Sequence, residues 1–167
     1  MYPCLDFACC SCIEEKVALA YDVFKRDFIK TKLYLAQKIY INPQIRKKQN
    51  GKEKIFWHIT TRENTISKQR EFDEQRATRI GWIKEIIDNY THQEIKMFYH
   101  REKRDIRLYL WLYNYDFVVI LQKLGKSSSF LVTSFYIDKG YNKKIYQTRY
   151  EEYINKIDSK LKDCEWF

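Results

Sequence analysis

Glycine and proline are scarce: the 167-residue chain holds four of one and two of the other. That scarcity, with no internal repeat or low-complexity segment, excludes a disordered or linker-rich chain. No run of roughly 18 apolar residues occurs, so nothing in the sequence reads as a membrane-crossing helix. The first residues have neither the basic start nor the apolar run of a signal peptide, which sets the expectation of a cytoplasmic protein with no membrane partner. Glycine elbows around serine or cysteine are missing, and no Asp or Glu constellation converges on a histidine. Serine or cysteine nucleophiles and metal-assisted chemistry are therefore without support, and no cofactor is expected.

The five cysteines are an odd number, poor arithmetic for disulfides. Four lie in the opening segment MYPCLDFACCSC, where Cys9 and Cys12 have the two-residue spacing of a metal knuckle. Cys10 sits inside that spacing, Cys4 stands apart and no second knuckle follows, so packed or free thiols are expected and no zinc. Three histidines are present, few enough to be weighed singly.

What the chain has in quantity is aromatic surface and positive charge. Aromatics make up 17% of it, and 31 Lys and Arg against 22 Asp and Glu leave +9 at pH 7. A surplus of that size favours a polyanion: nucleic acid first, then an acidic membrane surface or an acidic inhibitor protein. The length suits one domain with one core, spanning 1–167: a cysteine-rich start and long helix (1–43), a core (54–138) and a closing helix (141–167).

From Glu14 to about Tyr40, Val17, Tyr21, Phe24, Phe28, Leu35 and Ile39 recur at helical spacing, and Asn42-Pro43 ends the pattern. Residues 44–54 form a basic loop containing the Asn50-Gly51 turn signal. The run KIFWHIT reads as a short buried strand near whose end stands His58, followed by the basic loop TRENTISKQRE. FDEQRATRIGWIKEIIDNY then reads as an amphipathic helix. With Phe72 at 0°, Ile83, Ile86, Ile87 and Tyr90 fall within about 60° of it, and so do Arg76 (about 40°) and Arg79 (about 340°). Guanidinium on an apolar face must meet carboxylates, snorkel outward or line a cleft that receives an anion, and all three readings are open. Arg62, Lys68 and Arg70 reach the same place from the loop.

Four strand-like runs follow, near Glu94–Tyr99, Asp105–Tyr113, Asp116–Lys123 and Ser129–Asp138. In the second, Ile106, Leu108, Leu110 and Leu112 alternate with Arg107, Tyr109, Trp111 and Tyr113. The latter set could stack on bases or pack beneath the N-terminal helix. The third run is apolar on both faces and therefore central. The fourth, FLVTSFYID, carries Thr133, Ser134 and Tyr136 within an apolar strand, hydroxyls that either satisfy backbone groups or serve a site. Residues 141–167 read as a closing helix with Tyr146, Tyr150, Tyr153, Ile154, Ile157 and Leu161 inward. The expected fold is α+β: a four- to five-stranded, mainly antiparallel sheet packed against a long N-terminal helix, a middle helix and a C-terminal helix.

In WHITTRE, RATRIGWIKEIIDN and FLVTSFYID the chain resembles the barnase, EndoU, colicin and RelE group of small metal-independent ribonucleases, over roughly Lys54 to Tyr150. The resemblance implies a nuclease of toxin or phage type, acting on tRNA or mRNA and held in check by a protein inhibitor or antitoxin. Such chemistry needs an acid or base, for which His58 is the candidate, and cations for the charged phosphorane. Arg76 and Arg79 would clamp the phosphate, with Thr133 and Tyr136 completing the catalytic set and Arg62, Lys68, Arg70, Arg107 and Ser134 binding RNA. A non-catalytic RNA-binding module and an effector that recognises an acidic protein are the rival readings.

Overall fold

A computed structural model describes residues 2–167. Five helices and a six-stranded sheet make a mixed α and β architecture. Helix α1 (Ile13–Phe24) runs into a π-helical turn (Lys25–Lys30), and the chain then forms strands β1 (Tyr34–Leu35) and β2 (Ile39–Asn42). The small hairpin β3 (Lys48–Gln49) and β4 (Lys52–Glu53) leads directly into α2 (Lys54–Thr60). A second hairpin, β5 (Thr61–Glu63) and β6 (Arg70–Phe72), is followed by α3 (Glu74–Ala77) and α4 (Trp82–Asp88). Strands β7 (Ile95–Glu102), β8 (Asp105–Leu112), β9 (Phe117–Lys123) and β10 (Ser128–Tyr136) precede α5 (Gly140–Ile154).

The sheet order is β1-β2-β10-β9-β8-β7. Strands β7 to β10 form an antiparallel meander, and β2 joins it in parallel to β10. Alternation along β8 sorts the core into two layers. Leu108, Leu110 and Leu112 face α1 to α4 with Phe24, Phe28, Phe56 and Ile83. Tyr109 and Trp111 face the other way with Phe98, Val118 and Ile120, covered by Tyr146, Tyr150 and Tyr153 of α5. Trp111 thus packs beneath the C-terminal helix, not the N-terminal one. Strand β9, buried on both faces from Phe117 to Leu121, is central as its continuous apolar run requires.

Four expected elements are corrected. The helix anticipated from Glu14 to Tyr40 ends at Lys30. Beyond it Leu33, Leu35, Ile39 and Ile41 are buried at strand period, and Ala36 and Gln37 turn the hairpin at φ 52° and 55°. Their coincidence with helical spacing arose because an i, i+4 pair also satisfies period two. The histidine-bearing strand is a helix, α2, which buries Phe56, Ile59 and Thr60 at i, i+3 and i+4. A short apolar run does not distinguish the two states by itself. The middle helix is broken: Phe72 belongs to a strand, Asp73 caps α3, and i−3 hydrogen bonds from Arg79, Ile80, Trp82 and Ile83 tighten the chain before α4. The closing helix stops at Ile154, leaving Ile154 and Ile157 52% and 68% exposed, while Leu161 is buried from a separate 3₁₀ turn (Ser159–Leu161).

Strand β2 pairs only with Ser128–Phe130 of β10. The rest of β10 would be a bare edge, inviting strand addition. Helices α2 and α3 pack along it instead. This arrangement sets the His58-bearing helix against the edge of β10.

Candidate functional site

Helix α2 ends at Thr60, so its last carbonyls lack intrahelical donors and concentrate the negative end of the helix dipole. Two arginines, one from β6 and one from α3, meet them. Arg70 donates from Nη2 to the carbonyls of Thr61 (2.7 Å) and His58 (3.0 Å). It also donates from Nε to Thr61 Oγ1 at 2.8 Å. Arg76 Nη1 reaches the same carbonyls at 3.2 and 3.4 Å. Part of what Arg70 and Arg76 do is therefore to close a helix.

Asp73 organises the other side. Its carboxylate accepts from the Arg76 backbone N–H at 3.1 Å as N-cap of α3, and it pairs with Arg62 at 2.9 Å. Arg62 also pairs with Asp138 at 2.8 Å. Arg76 Nε lies 3.6 Å from Asp73 Oδ2, too far for a hydrogen bond, and is buried with no acceptor. Arg62 takes both carboxylates at hydrogen-bond distance, while Arg76 meets Asp73 only as a longer ion pair. The cluster holds three guanidiniums against two carboxylates, a local excess of positive charge.

Arg76 and Arg79 do lie against the sheet. The Arg76 guanidinium sits 5.8 Å from the Phe135 ring, and that of Arg79 lies 5.1 Å from both Trp82 and Tyr136. Arg79 Nη1 donates to the Gln75 carbonyl and side-chain oxygen, while its Nε is buried without an acceptor. Arg70 and Arg79 pair with no carboxylate among the described residues. An open groove of 300 Å³ adjoins Arg76 and Arg62, walled by Phe135, Tyr136, Lys139 and Tyr141.

His58 is half-buried on the last turn of α2. Burial, followed by the charges of Arg70, Arg76 and Lys54, holds its pKa below the ordinary histidine value. The imidazole is accordingly neutral at pH 7, able to accept a proton. Burial likewise pulls the Arg76 pKa down from its usual value, with Asp73 opposing.

A bulge between Leu131 and Thr133 sets which hydroxyls face where. Thr133 pairs with Ile120 and shares the face of Phe135, under Arg76. Ser134 and Tyr136 pair with Val119 and Phe117 and take the opposite face, beside Arg79. Ser134 is 2% exposed, enclosed in the core. Two expected RNA contacts lie elsewhere. Lys68 is exposed at the tip of the β5–β6 hairpin, and Arg107 is on the α5 side of the sheet, bonded to Gln122 at 3.2 Å. Asp73, Asp138, Phe135 and Tyr141 went unrecognised from sequence. Asp73 alone had a local signal, as an N-cap before Glu74-Gln75.

The cysteines remain free: Cys4, Cys9 and Cys12 are exposed, and Cys10 and Cys164 half-buried. Among the described residues no group of three or more His, Cys, Asp or Glu is placed to hold a metal ion, and no helix is long and apolar enough to cross a membrane. Comparison with protein-family models, curated proteins and solved structures gives no match.

Proposed function

We propose that this chain is a metal-independent endoribonuclease of the barnase, EndoU, colicin and RelE kind, in which His58 removes the proton from a ribose 2′-hydroxyl. The observation that carries the reading is the surplus of guanidinium around half-buried His58, whose carbonyl both Arg70 and Arg76 reach, with Arg76 and Arg62 lining an open groove. A phosphate in that groove would meet the Arg62 and Arg76 guanidiniums, which would stabilise the charge that grows on the phosphorane. Phe135, Tyr136 and Tyr141 line the groove and offer ring faces to bases, and Arg79 lies 5.1 Å from the Tyr136 ring. Attack by the 2′-oxygen forms a 2′,3′-cyclic phosphate and breaks the bond to the 5′-oxygen of the next nucleotide, which takes a proton from solvent and leaves as a 5′-hydroxyl. The net charge of +9 suits tRNA or mRNA as substrate and an acidic protein as inhibitor.

Incubating the purified protein with total RNA in the presence of a chelator tests this. New fragments ending in cyclic phosphate, lost in His58→Ala, support it. Intact RNA that is bound in a salt-sensitive manner would instead identify a non-catalytic RNA-binding module.

A further inference from the structure

A second groove, of 430 Å³, opens on the other side of Arg70 and takes no part in the mechanism above. Trp57, Phe72, Arg70, Lys52, Asn50 and Glu14 line it. Trp57 is the residue before His58. Its indole Nε1 donates to the Gln49 carbonyl at 2.7 Å, and its ring meets Phe56 edge-on at 5.3 Å. The ring plane is thus fixed before any ligand arrives. The long flexible Lys52 side chain places Nζ 5.8 Å from the centre of this ring. Arg70 also lines the groove, and its Nη2 donates to the His58 carbonyl at 3.0 Å.

We propose that this groove is a nucleobase subsite of the ribonuclease, holding one unpaired base against the Trp57 indole. The inference rests on the ribonuclease reading for its ligand. An oriented indole, two cations and an amide side chain are what an unpaired nucleotide uses: a ring to stack on, charge for its phosphate and polar groups for its edge. Lys52 would exchange its contact with the ring for one with the phosphate when a base moves in. Because Arg70 joins this groove to His58, the base held here belongs to a nucleotide flanking the cleaved bond. A base paired in a duplex cannot lie flat on the indole, so the subsite makes the substrate single-stranded at that position.

The test is a binding cycle on the full chain with a seven-nucleotide, 2′-O-methyl single strand that cannot be cleaved. One nucleotide at a time is made abasic. In the wild type, one abasic position should weaken binding about tenfold, within the range of stacking on one aromatic side chain. In Trp57→Ala that position should cost nothing further, whereas Trp57→Phe should retain the penalty. Equal penalties in wild type and Trp57→Ala overturn the subsite. Cross-linking the unaltered protein to the same strand carrying 8-azidoadenine at that position needs no variant. Label on the peptide containing Trp57 supports the proposal, and label only elsewhere overturns it. Cleavage of unmodified RNA, assayed in parallel, separates the two ideas: cutting without coupling removes only the subsite, and coupling without cutting removes only the nuclease.

Discussion

At the level of single residues, His58 has the environment of a base and not of a resting acid. Burial and the neighbouring Arg70 and Arg76 disfavour its charged form. If it takes the 2′-hydroxyl proton, kcat/KM should rise with pH along a limb whose midpoint lies below the ordinary histidine value of about 6.5 and then level off. His58→Ala should cut the rate by roughly 10² to 10⁴ with circular dichroism unchanged. A pH profile with its limb above that value, or full activity in the variant, contradicts the assignment.

Asp73 has two separable duties, capping α3 and holding Arg62. Asp73→Asn keeps a good cap and removes the charge of a carboxylate that is only 11% exposed, so its stability loss should be smaller than that of Asp73→Ala. Asp73→Ala removes both and should cost about 1–3 kcal/mol by denaturant unfolding. Equal losses in the two variants would mean that the cap contributes nothing.

Among the elements, the β1–β2 hairpin shows a local conflict that the fold overrides. Ala36 and Gln37 both occupy the left-handed region, where residues with a side chain are strained by about 1 kcal/mol. The turn persists because Leu35 and Ile39 on either side of it are buried and paired. Gln37 is exposed. Gln37→Gly should therefore raise stability by about 0.5–1 kcal/mol, visible as a higher melting temperature, after the added freedom of the unfolded chain is offset. A lower melting temperature would show that the side chain itself matters.

Elements also mark the limit of reading from sequence. The four meander strands lie within three residues of their expected ends, since alternation at period two is visible within each segment. Arg76 and Arg79 meet the sheet, as the apolar arc implied, although the helix used to project them is broken between α3 and α4. The conformation of the His58 segment was not legible. KIFWHIT is too short for its pattern to separate strand from helix, and packing along the open edge of β10 decides it.

For the whole molecule, two consequences of charge can be measured. Burial depresses the pKa of both His58 and His100. As pH falls through about 6.5 the unfolded chain takes up protons that the folded one resists, so stability declines until the lower folded pKa values are passed. Melting temperature should drop between pH 7.5 and 5.5, and the double variant His58→Gln, His100→Gln should lose part of that slope. An unchanged slope would exclude the two imidazoles as its source. The charge of +9 should also make RNA binding weaken steeply and linearly in log Kd against log salt. Binding indifferent to salt would argue against a phosphate-facing surface.

The sequence by itself determined the α and β composition, the antiparallel meander with its central β9, the basic surplus and the arginines placed among apolar residues. These follow from patterns carried within single segments. Only the tertiary structure decided that β1 and β2 extend the sheet, that α2 and α3 cover the edge of β10, and that Arg70 and Arg76 meet the carbonyls of His58 and Thr61. It also decided that Arg62 spends its charge on Asp73 and Asp138 while Arg76 meets Asp73 only as a longer ion pair. Each of these depends on groups from different elements sharing a few ångströms, where the cost of an unpaired buried charge is settled jointly by all the neighbours.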